Sequence, residues 1–286
     1  MNDILMQIRS DLPSFSKGQK RIANYILESY DKAAFMTASR LGKMVEVSES
    51  TVVRFAVELG FDGYPSMQKT LQELVRNKLT SVQRIEVTND RLGNQDVVST
   101  VLQGDIDSIR MTSEALSRAE MDACVQAILK AKSIYIVGVR SSAALAAFLN
   151  FYLRNMFENV RLVGSTSTSE MFEQLLRVGR EDVVIGISLP RYSSRTVKLL
   201  QYAHDSGATV VTITDKAEAP AGKVADYVLC AKSNMVSFVD SLVAPMSVVN
   251  ALIVALTSRR KHETAQTLER LEQVWDQYHV YEKVHI

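Results

Sequence analysis

The chain has 286 residues, of which 47% are hydrophobic, so it can bury large cores and, at ordinary domain sizes, favours two domains over one. Its formal net charge is only +1, which excludes a global basic field that would by itself indicate nucleic-acid binding. Cys124 and Cys230 lie far apart in apolar segments. This pattern predicts buried, reduced thiols and argues against a disulfide framework or a metal site. No signal peptide, membrane segment or cofactor is expected, and a cytoplasmic location is the default.

Residues 1–78 are predicted to form an all-helical N-terminal domain. Apolar residues recur at helical spacing in two stripes, Ile4, Leu5, Ile8 and Leu12, then Ile22, Ile26 and Leu27. Ser16 and Thr37 are placed to cap the second helix and a third helix over 38–44. Both can do so because a short hydroxyl side chain accepts a bond from a free amide of the first turn.

The segment from Ser48 to Gly60 has clear signals at both ends of a helix. Ser48 is a suitable N-cap, and Gly60 can adopt the left-handed conformation that ends a helix. The apolar residues of the segment fall on one face: Val52, Phe55, Ala56 and Leu59. Ser50 and Arg54 project from the other face, where short polar groups and an arginine would suit a DNA major groove.

The helix over 38–44, the turn after it and the helix that begins at Ser48 follow the helix-turn-helix plan, in which the first helix braces the second against DNA. The candidate DNA-binding residues are Lys43, Ser48, Ser50, Thr51 and Arg54. Two short helices joined by a turn also occur in proteins that never meet DNA, where such side chains are caps and solvated charges. The spacing alone leaves both interpretations open.

Residues 79–96 are predicted to be a linker, because no period is sustained there and Asn89-Asp90 and Gly93-Asn94 are turn signals. The second domain is expected over 97–286. It opens with an amphipathic helix whose apolar residues run from Val97 to Ile109. This helix would either cover the core of the domain or pair with a copy of itself.

From residue 134 onward, short β-branched runs alternate with helical stretches. The predicted strands are 134–137, 160–163, 183–187, 210–214 and 227–229. Strands that are apolar throughout and separated by helices predict a parallel sheet covered on both faces. The expected fold class is therefore α/β, with an all-α helix-turn-helix domain followed by a doubly wound parallel-sheet domain.

Hydroxyl-bearing side chains are concentrated just after these strands, at the sheet edge where doubly wound proteins bind ligands. The candidate ligand-binding residues are Arg140, Ser141 and Ser142 after the first strand, and Ser188, Arg191, Ser193 and Ser194 after the third. Serines and arginines at helix N termini suit a phosphate, which needs many donors and positive charge. The alternative is that each serine only caps its own helix. The run from Gly138 does not continue as a dinucleotide-binding glycine pattern.

A sugar-phosphate isomerase is the main alternative function. Such an enzyme needs an acid/base pair within reach of the sugar. Glu170 follows the second strand and could act as a base, although an acid in the first turn of a helix is also an ordinary structural feature. None of the four histidines follows a strand, so no partner for Glu170 is evident.

The segment Ser48–Gly60, with Phe61, Gly63 and Tyr64 after it, resembles the N-terminal helix-turn-helix of the RpiR (MurR/RpiR) family of bacterial transcriptional regulators. The stretch Gly138–Ser142 and the sequences Ile187-Ser188 and Ile213-Thr214-Asp215 are similar to the SIS, or sugar isomerase, domain that forms the rest of those proteins. The match covers nearly the whole chain in the same order.

This resemblance implies a dimeric or tetrameric regulator of carbohydrate metabolism that binds a roughly palindromic operator and senses a phosphosugar. By position, the residues facing DNA would be Ser48, Ser50, Thr51 and Arg54, and those holding the phosphate and sugar would be Ser141, Ser142, Ser188 and Ser193.

The third loop departs from the family pattern. Many members have Ser-x-Ser-Gly-x-Thr, whereas this chain has Ser188-Leu189-Pro190-Arg191-Tyr192-Ser193. Pro190 has no amide proton to offer, and Arg191 brings its own charge. Arg191 would either add a contact to the phosphate or fill the pocket in place of a ligand, and Arg140 has the same two interpretations.

Overall fold

The computed structural model of the chain describes residues 4–92 and 96–281. For residues 76–78 and 90–92 it describes only the backbone. The described residues form two compact units. The first runs to Val101 and includes Met235–Asp240; the second holds Leu102–Asn234 and the chain from Ser241 onward. None of the described helices is long and apolar enough to cross a membrane.

The first unit is helical, as predicted. Its helices are α1 (Ile4–Asp11), α2 (Lys17–Ala33), α3 (Ala38–Met44), α4 (Glu49–Glu58), α5 (Tyr64–Lys78) and α6 (Ser81–Leu92). The predicted caps are confirmed, because the side chains of Ser16, Thr37 and Ser48 each accept a bond from an amide in the first turn of α2, α3 and α4. The core of the unit is built from the apolar faces of these helices, including an edge-to-face pair of Phe15 and Phe55 with ring centroids 5.1 Å apart.

A helix, α6, lies in the segment that was expected to be a linker. The apolar period is missing there because the inward positions of α6 are polar: Arg84 and Thr88 are buried, whereas Val82 and Ile85 are exposed. The buried Arg84 guanidinium donates to Asp240 Oδ2 at 3.1 Å. The Gly93-Asn94 turn signal lies outside the described residues, and the domain limits at 78 and 97 stay a prediction.

The second unit contains a five-stranded parallel sheet. Its strands are β1 (Ser133–Gly138), β2 (Val160–Val163), β3 (Asp182–Ile187), β4 (Thr209–Thr214) and β5 (Tyr227–Cys230). Each predicted strand is found within one residue of its expected ends. The order across the sheet is β2-β1-β3-β4-β5. The chain therefore places β2 on one side of β1 and then returns to place β3 and the later strands on the other side.

Helices cover both faces of this sheet, which confirms the doubly wound fold. They are α8 (Arg118–Lys130), α9 (Ser142–Leu153) and α12 (Val243–Arg259) over one face, and α10 (Thr168–Gln174) and α11 (Ser194–Asp205) over the other. The two cores are dominated by aliphatic side chains. A final helix, α13 (Lys261–Gln277), is mostly exposed and buries Thr264.

Of the two alternatives for helix α7 (Val97–Ala115), the first, in which its apolar stripe covers the core, does not hold, and pairing with a second copy stays a prediction. The buried residues of α7 are Ser108 and Thr112. Their hydroxyls bond to the Asn234 side chain at 2.7 Å and to the Lys232 amide at 2.9 Å. Most of the apolar stripe is exposed in the single chain, with Leu102 and Ile106 more than half accessible.

Candidate nucleic-acid interface and ligand site

A tight turn joins α3 to α4. The Val47 amide donates to the Gly42 carbonyl oxygen at 2.9 Å, which closes the turn onto the last part of α3. Glu46, within the turn, has a left-handed φ of +54°. The two helices and this turn have the arrangement of a helix-turn-helix, with α4 as the second helix.

The outward face of α4 presents four side chains: Ser50, Val53, Arg54 and Val57. All four are exposed, whereas Val52, Phe55 and Ala56 on the opposite face are buried. Arg54 Nε donates to the Ser50 carbonyl oxygen at 3.3 Å, one turn back along the helix. The sequence-based selection missed the two valines because it sought polar residues, although helical periodicity places them on the same face.

The hydroxyl groups at the start of α4 form a small cluster. Ser48 Oγ lies 2.9 Å from Ser50 Oγ and 2.8 Å from Thr51 Oγ1. Thr51 is only half-exposed, and its methyl carbon lies 3.5 Å from the position that a Cβ on Gly18 would take. Ser48 and Ser50 are therefore better placed than Thr51 to meet a partner from solvent.

The charge of α4 itself does not suit DNA phosphates, since Glu49 and Glu58 outweigh Arg54. Positive charge comes from neighbouring helices. Lys43 is exposed in the last turn of α3, and the first turns of α2, which adjoin α4 at Gly18, carry the exposed Lys17 and Lys20. Sequence reasoning overlooked the two α2 lysines because that helix was treated only as part of the core.

The carboxyl ends of β1 and β3 mark the topological switch point of the sheet, where doubly wound folds bind ligands. Gly138, the last residue of β1, lies beside Ile187, the last residue of β3. A Cβ at Gly138 would lie 2.7 Å from the Ser142 carbonyl oxygen, so only glycine allows α9 to pack this closely against the strand end. The predicted loops after β1 and β3 are thereby brought together at one edge of the sheet.

The N-cap serines at this edge differ from those of the first unit. Ser141, which precedes α9, and Ser193, which precedes α11, make no side-chain capping bond. The idea that each serine only caps its own helix is therefore wrong for these two residues. The N termini of α9 and α11 retain the character of anion-binding positions.

Two buried hydroxyl groups lie in the same region. Ser188 Oγ and Thr196 Oγ1 have no hydrogen-bond partner among the described residues. Both residues are almost completely buried. A buried hydroxyl without a partner costs about 1–3 kcal/mol, so such groups call for an explanation, and a ligand that supplies the missing bonds is one.

The remaining candidate residues surround these groups. Ser142 is buried in the first turn of α9, and Ser194 is exposed in the first turn of α11. Arg140 and Arg191 are exposed and have left-handed φ angles of +57° and +58°. A left-handed conformation costs a non-glycine residue of the order of 1–3 kcal/mol and tends to occur at ligand sites.

Two further contacts at this edge were missed by the sequence analysis. The Tyr192 hydroxyl donates to Asp215 Oδ1 at 2.7 Å and so joins the loop after β3 to the end of β4. Arg195 Nη1 donates to the Thr166 carbonyl oxygen at 3.4 Å, in the loop after β2. The signal for both was present in the sequence, because Asp215 and Thr166 follow predicted strands.

Two protein-family models match the chain. The helix-turn-helix domain of the rpiR family matches residues 2–78, and the SIS domain matches residues 127–255. The chain belongs to the rpiR family of transcriptional regulators. The first match contains α3, α4 and the turn between them, and the second contains the whole sheet.

Two relatives of this regulator are named HTH-type transcriptional regulators. An HTH-type transcriptional regulator of Haemophilus influenzae is 29% identical over 232 residues, which cover 79% of each chain. Another, from Clostridium perfringens, is 26% identical over 228 residues, covering 79% of this chain and 80% of its own.

Solved structures agree with the fold. The sugar isomerase domain of the RpiR transcription factor from Sphaerobacter thermophilus is 27% identical, covers 63% of this chain and 99% of its own, and has a TM-score of 0.60. The Vibrio vulnificus NanR protein complexed with ManNAc-6P is 21% identical, covers 96% of this chain and 98% of its own, and has a TM-score of 0.60. At that identity, the likeness to NanR shows the fold alone.

The regulator also has a cleft of about 610 Å³ away from the switch point. It lies where the chain enters β2, at the amino ends of the strands, and Arg260 stacks there on the Phe157 ring at 4.7 Å. Three arginines and three glutamates line it, so its charge is balanced and gives no preference for an anion.

Proposed function

We propose that this rpiR-family regulator binds a roughly palindromic DNA operator as a homodimer or homotetramer. A phosphorylated sugar bound at the carboxyl ends of β1 and β3 would change operator occupancy and thereby control genes of carbohydrate metabolism. The observation that carries the ligand part is the combination of uncapped serines at two helix N termini with the buried hydroxyls of Ser188 and Thr196, which have no partner in the part of the chain that the structure describes.

The DNA-facing surface in this proposal is the outward face of α4. Ser50 and Arg54 would bond to base edges in the major groove, and Val53 and Val57 would contact thymine methyl groups. Ser48 and the lysines of α2 and α3, including Lys43, would contact phosphates and fix the register of the helix on the duplex. One short helix buries little surface, so two copies related by symmetry are needed for useful affinity.

The phosphate in this proposal lies between the N termini of α9 and α11. Ser141, Ser142 and Ser193 would donate to its oxygens together with free amides of the two helices. The hydroxyls of Ser188 and Thr196 would gain partners as the loop after β3 adjusts around the sugar. The complex of Vibrio vulnificus NanR with ManNAc-6P supports this class of ligand by analogy of fold.

The regulator is proposed to act without catalysis. Isomerisation would require a base and an acid on either side of the sugar. Glu170, the candidate base, is exposed and accepts a bond from the Ser165 hydroxyl. The described histidines lie in α11 and from α13 onward, and none of them follows a strand.

A DNA-binding assay with the region upstream of the regulator's own gene tests this proposal. The full chain should retard that fragment in a gel-shift experiment, and a sugar phosphate from a panel of hexose and amino-sugar phosphates should change the apparent affinity. The direction of the change reveals whether the ligand releases or tightens the complex. No retardation under any condition would contradict the DNA-binding proposal, and turnover of any panel member would establish an enzyme instead.

A further inference from the structure

Two of the helices that cover the sheet have outward faces without charge. No charged residue occurs in α9, and none occurs in α12 before Arg259. The other three helices over the sheet all carry acidic residues, and α8 and α11 carry basic residues as well. A helix that is apolar on every side is normally covered by other protein. The outward faces of α9 and α12 therefore require a partner.

These two outward faces form one surface, because α12 packs beside α9 on the same side of the sheet. We call it the α9–α12 face. Phe151 of α9 and Val254 of α12 are 62% and 63% exposed. The other residues that define the face are exposed or half-buried: Ala147, Tyr152, Ser247 and Ala251. Large apolar side chains thus stand beside small ones, which let another helix approach closely.

The α9–α12 face can lose its water at little cost. The Ser247 hydroxyl donates to the Val243 carbonyl oxygen at 3.0 Å, one turn back along α12. In the same way, the Ser258 hydroxyl donates to the Val254 carbonyl oxygen at 2.9 Å. Hydroxyls that bond within their own helix do not need solvent, and burying a polar group is costly only when it loses its hydrogen bonds.

We infer that the α9–α12 face binds the same face of a second copy of this chain across a two-fold axis. The inference names the subunit interface of the proposed homo-oligomer and rests on that part of the proposed function. In a two-fold contact, residues close to the axis meet their own counterparts, so a charged side chain there would face a like charge. The α9–α12 face has no such charge and is therefore complementary to itself.

The dimensions of the face suit the centre of a dimer interface. Helix α9 has 12 residues. At 1.5 Å per residue, with two helices side by side about 20 Å across, the face covers on the order of 400 Å². A standard interface buries about 800 Å² on each partner and has an apolar centre within a polar rim. The exposed Phe151 ring, which meets the Tyr152 ring edge to face, is the kind of aromatic anchor that dominates such centres.

Sedimentation velocity on the full chain, over a range of concentrations, tests this inference with the variants Phe151→Glu and Val254→Glu. Each variant places a carboxylate on the α9–α12 face, and in the dimer this charge would be buried without a partner. The dissociation constant should rise by about thirtyfold or more, the scale expected for the loss of a central anchor. Far-UV circular dichroism should stay unchanged, because both side chains are exposed.

Two further variants serve as controls. Leu176→Glu changes an equally exposed apolar residue that follows α10, which covers the opposite side of the sheet. Its dissociation constant should match that of the wild type. Ile106→Glu places a charge on the exposed stripe of α7, the other surface for which pairing between copies is predicted.

The outcomes separate the inference from the proposed function. An oligomer that survives both Phe151→Glu and Val254→Glu would overturn the inference and leave the proposed regulator standing. Dissociation by Ile106→Glu in that case would assign the interface to α7 instead. A wild-type chain that stays monomeric at every concentration would overturn the proposed homo-oligomer, and the inference with it.

Discussion

The carbonyl oxygen of Val47 lies 2.8 Å from the position that a Cβ on Gly42 would occupy. Real Cβ atoms essentially never come so close to a backbone oxygen, and the obstructing atom belongs to the main chain of the turn, so it cannot rotate away. The Gly42 carbonyl also accepts the bond from the Val47 amide that closes this turn. The position of α4 against α3 therefore depends on the missing side chain of residue 42.

Gly42→Ala should destabilise the helical unit by about 1–3 kcal/mol, the usual cost of forcing an extra methyl group into a packed position. Chemical denaturation followed by circular dichroism measures the change, and operator affinity should fall with it because α4 is displaced. Gly104→Ala in α7 is the matched control. Outside its own stretch of helix, no atom of the described residues lies within 4 Å of the position that a Cβ on Gly104 would take, so this substitution should be neutral or stabilising by up to about 1 kcal/mol. Equal effects of the two substitutions would contradict the steric argument.

Arg54→Ala should weaken operator binding about tenfold or more, because a bidentate arginine contact to a base contributes about 1–3 kcal/mol. The thermal midpoint should change little, since the side chain is exposed and, among the described residues, bonds to its own helix through Ser50. Fluorescence anisotropy with labelled operator measures the loss. The control is Arg9→Ala, which removes an exposed arginine from α1. Unaltered binding by the Arg54 variant would refute the assignment of α4 as the recognition helix.

Val57→Ala should weaken binding to thymine-containing half-sites by several-fold, since the exposed valine lies on the same face of α4 as Arg54 and fits a thymine methyl group. Replacing operator thymines one at a time with uracil, which lacks that methyl group, should reproduce the loss at one position. At that position, replacing thymine with uracil should not weaken binding by the Val57→Ala protein any further, as a double-mutant cycle requires for a direct contact. Additive losses at every thymine would exclude the contact.

Thr196→Val and Thr264→Val form a matched pair, because each removes a buried Oγ1 that has no partner among the described residues. Both should leave stability unchanged or raise it by up to about 1–3 kcal/mol, since an unsatisfied buried hydroxyl is lost without a change of shape. Only Thr196→Val should weaken phosphosugar binding, because Thr264 lies in α13. A calorimetric titration compares the two variants, and equal ligand affinities would argue that Thr196 does not contact the ligand.

Burial raises the pKa of Tyr64 to about 12. The folded protein therefore holds the phenol proton more tightly than the unfolded chain does, and stability is fully present below about pH 10, where the unfolded tyrosine begins to ionise. It should fall as the pH rises from there through the folded pKa. Denaturant titrations across this range measure the fall.

Tyr64→Phe is the diagnostic variant for this alkaline loss. It should cost about 1 kcal/mol near neutral pH, because the Tyr64 hydroxyl donates to the Met36 carbonyl oxygen at 2.7 Å. It should also remove the part of the alkaline fall that comes from this side chain. The Gln68 amide still donates to the same oxygen at 2.8 Å, which limits the cost at neutral pH. A fall that remains unchanged in the variant would point to other titrating groups.

Local sequence signals predicted most of the elements. Ser48 caps α4 as expected, Gly60 ends it with a φ of +87°, and all five strands lie where β-branched runs occur. Prediction failed at α6, where the inward positions are occupied by Arg84 and Thr88. A helix whose buried face is polar has no hydrophobic period, and only its contacts identify it.

At the candidate site, too, some features were predicted from the sequence and others were not. The loops that carry Arg140 and Ser188 were found because residues after parallel strands share one edge. The pairing of Tyr192 with Asp215 was not found, because the strand pattern predicts which loops share an edge but not which of their side chains bond to each other. The exposed valines of α4 were likewise passed over in a search for polar groups.

Local propensity and the period of apolar residues are enough to define the helices with their caps, the strands, the parallel sheet and the two loops that bound the ligand edge. Which polar groups have partners is set by the tertiary structure. It placed the hydroxyls of Ser188 and Thr196 in the interior without partners among the described residues, and it left the side chains of the serines before α9 and α11 without a capping bond. It also set the left-handed backbone of Arg140 and Arg191. Burial and hydrogen-bond pairing depend on residues distant in the chain, whereas a cap or a period is encoded by neighbours.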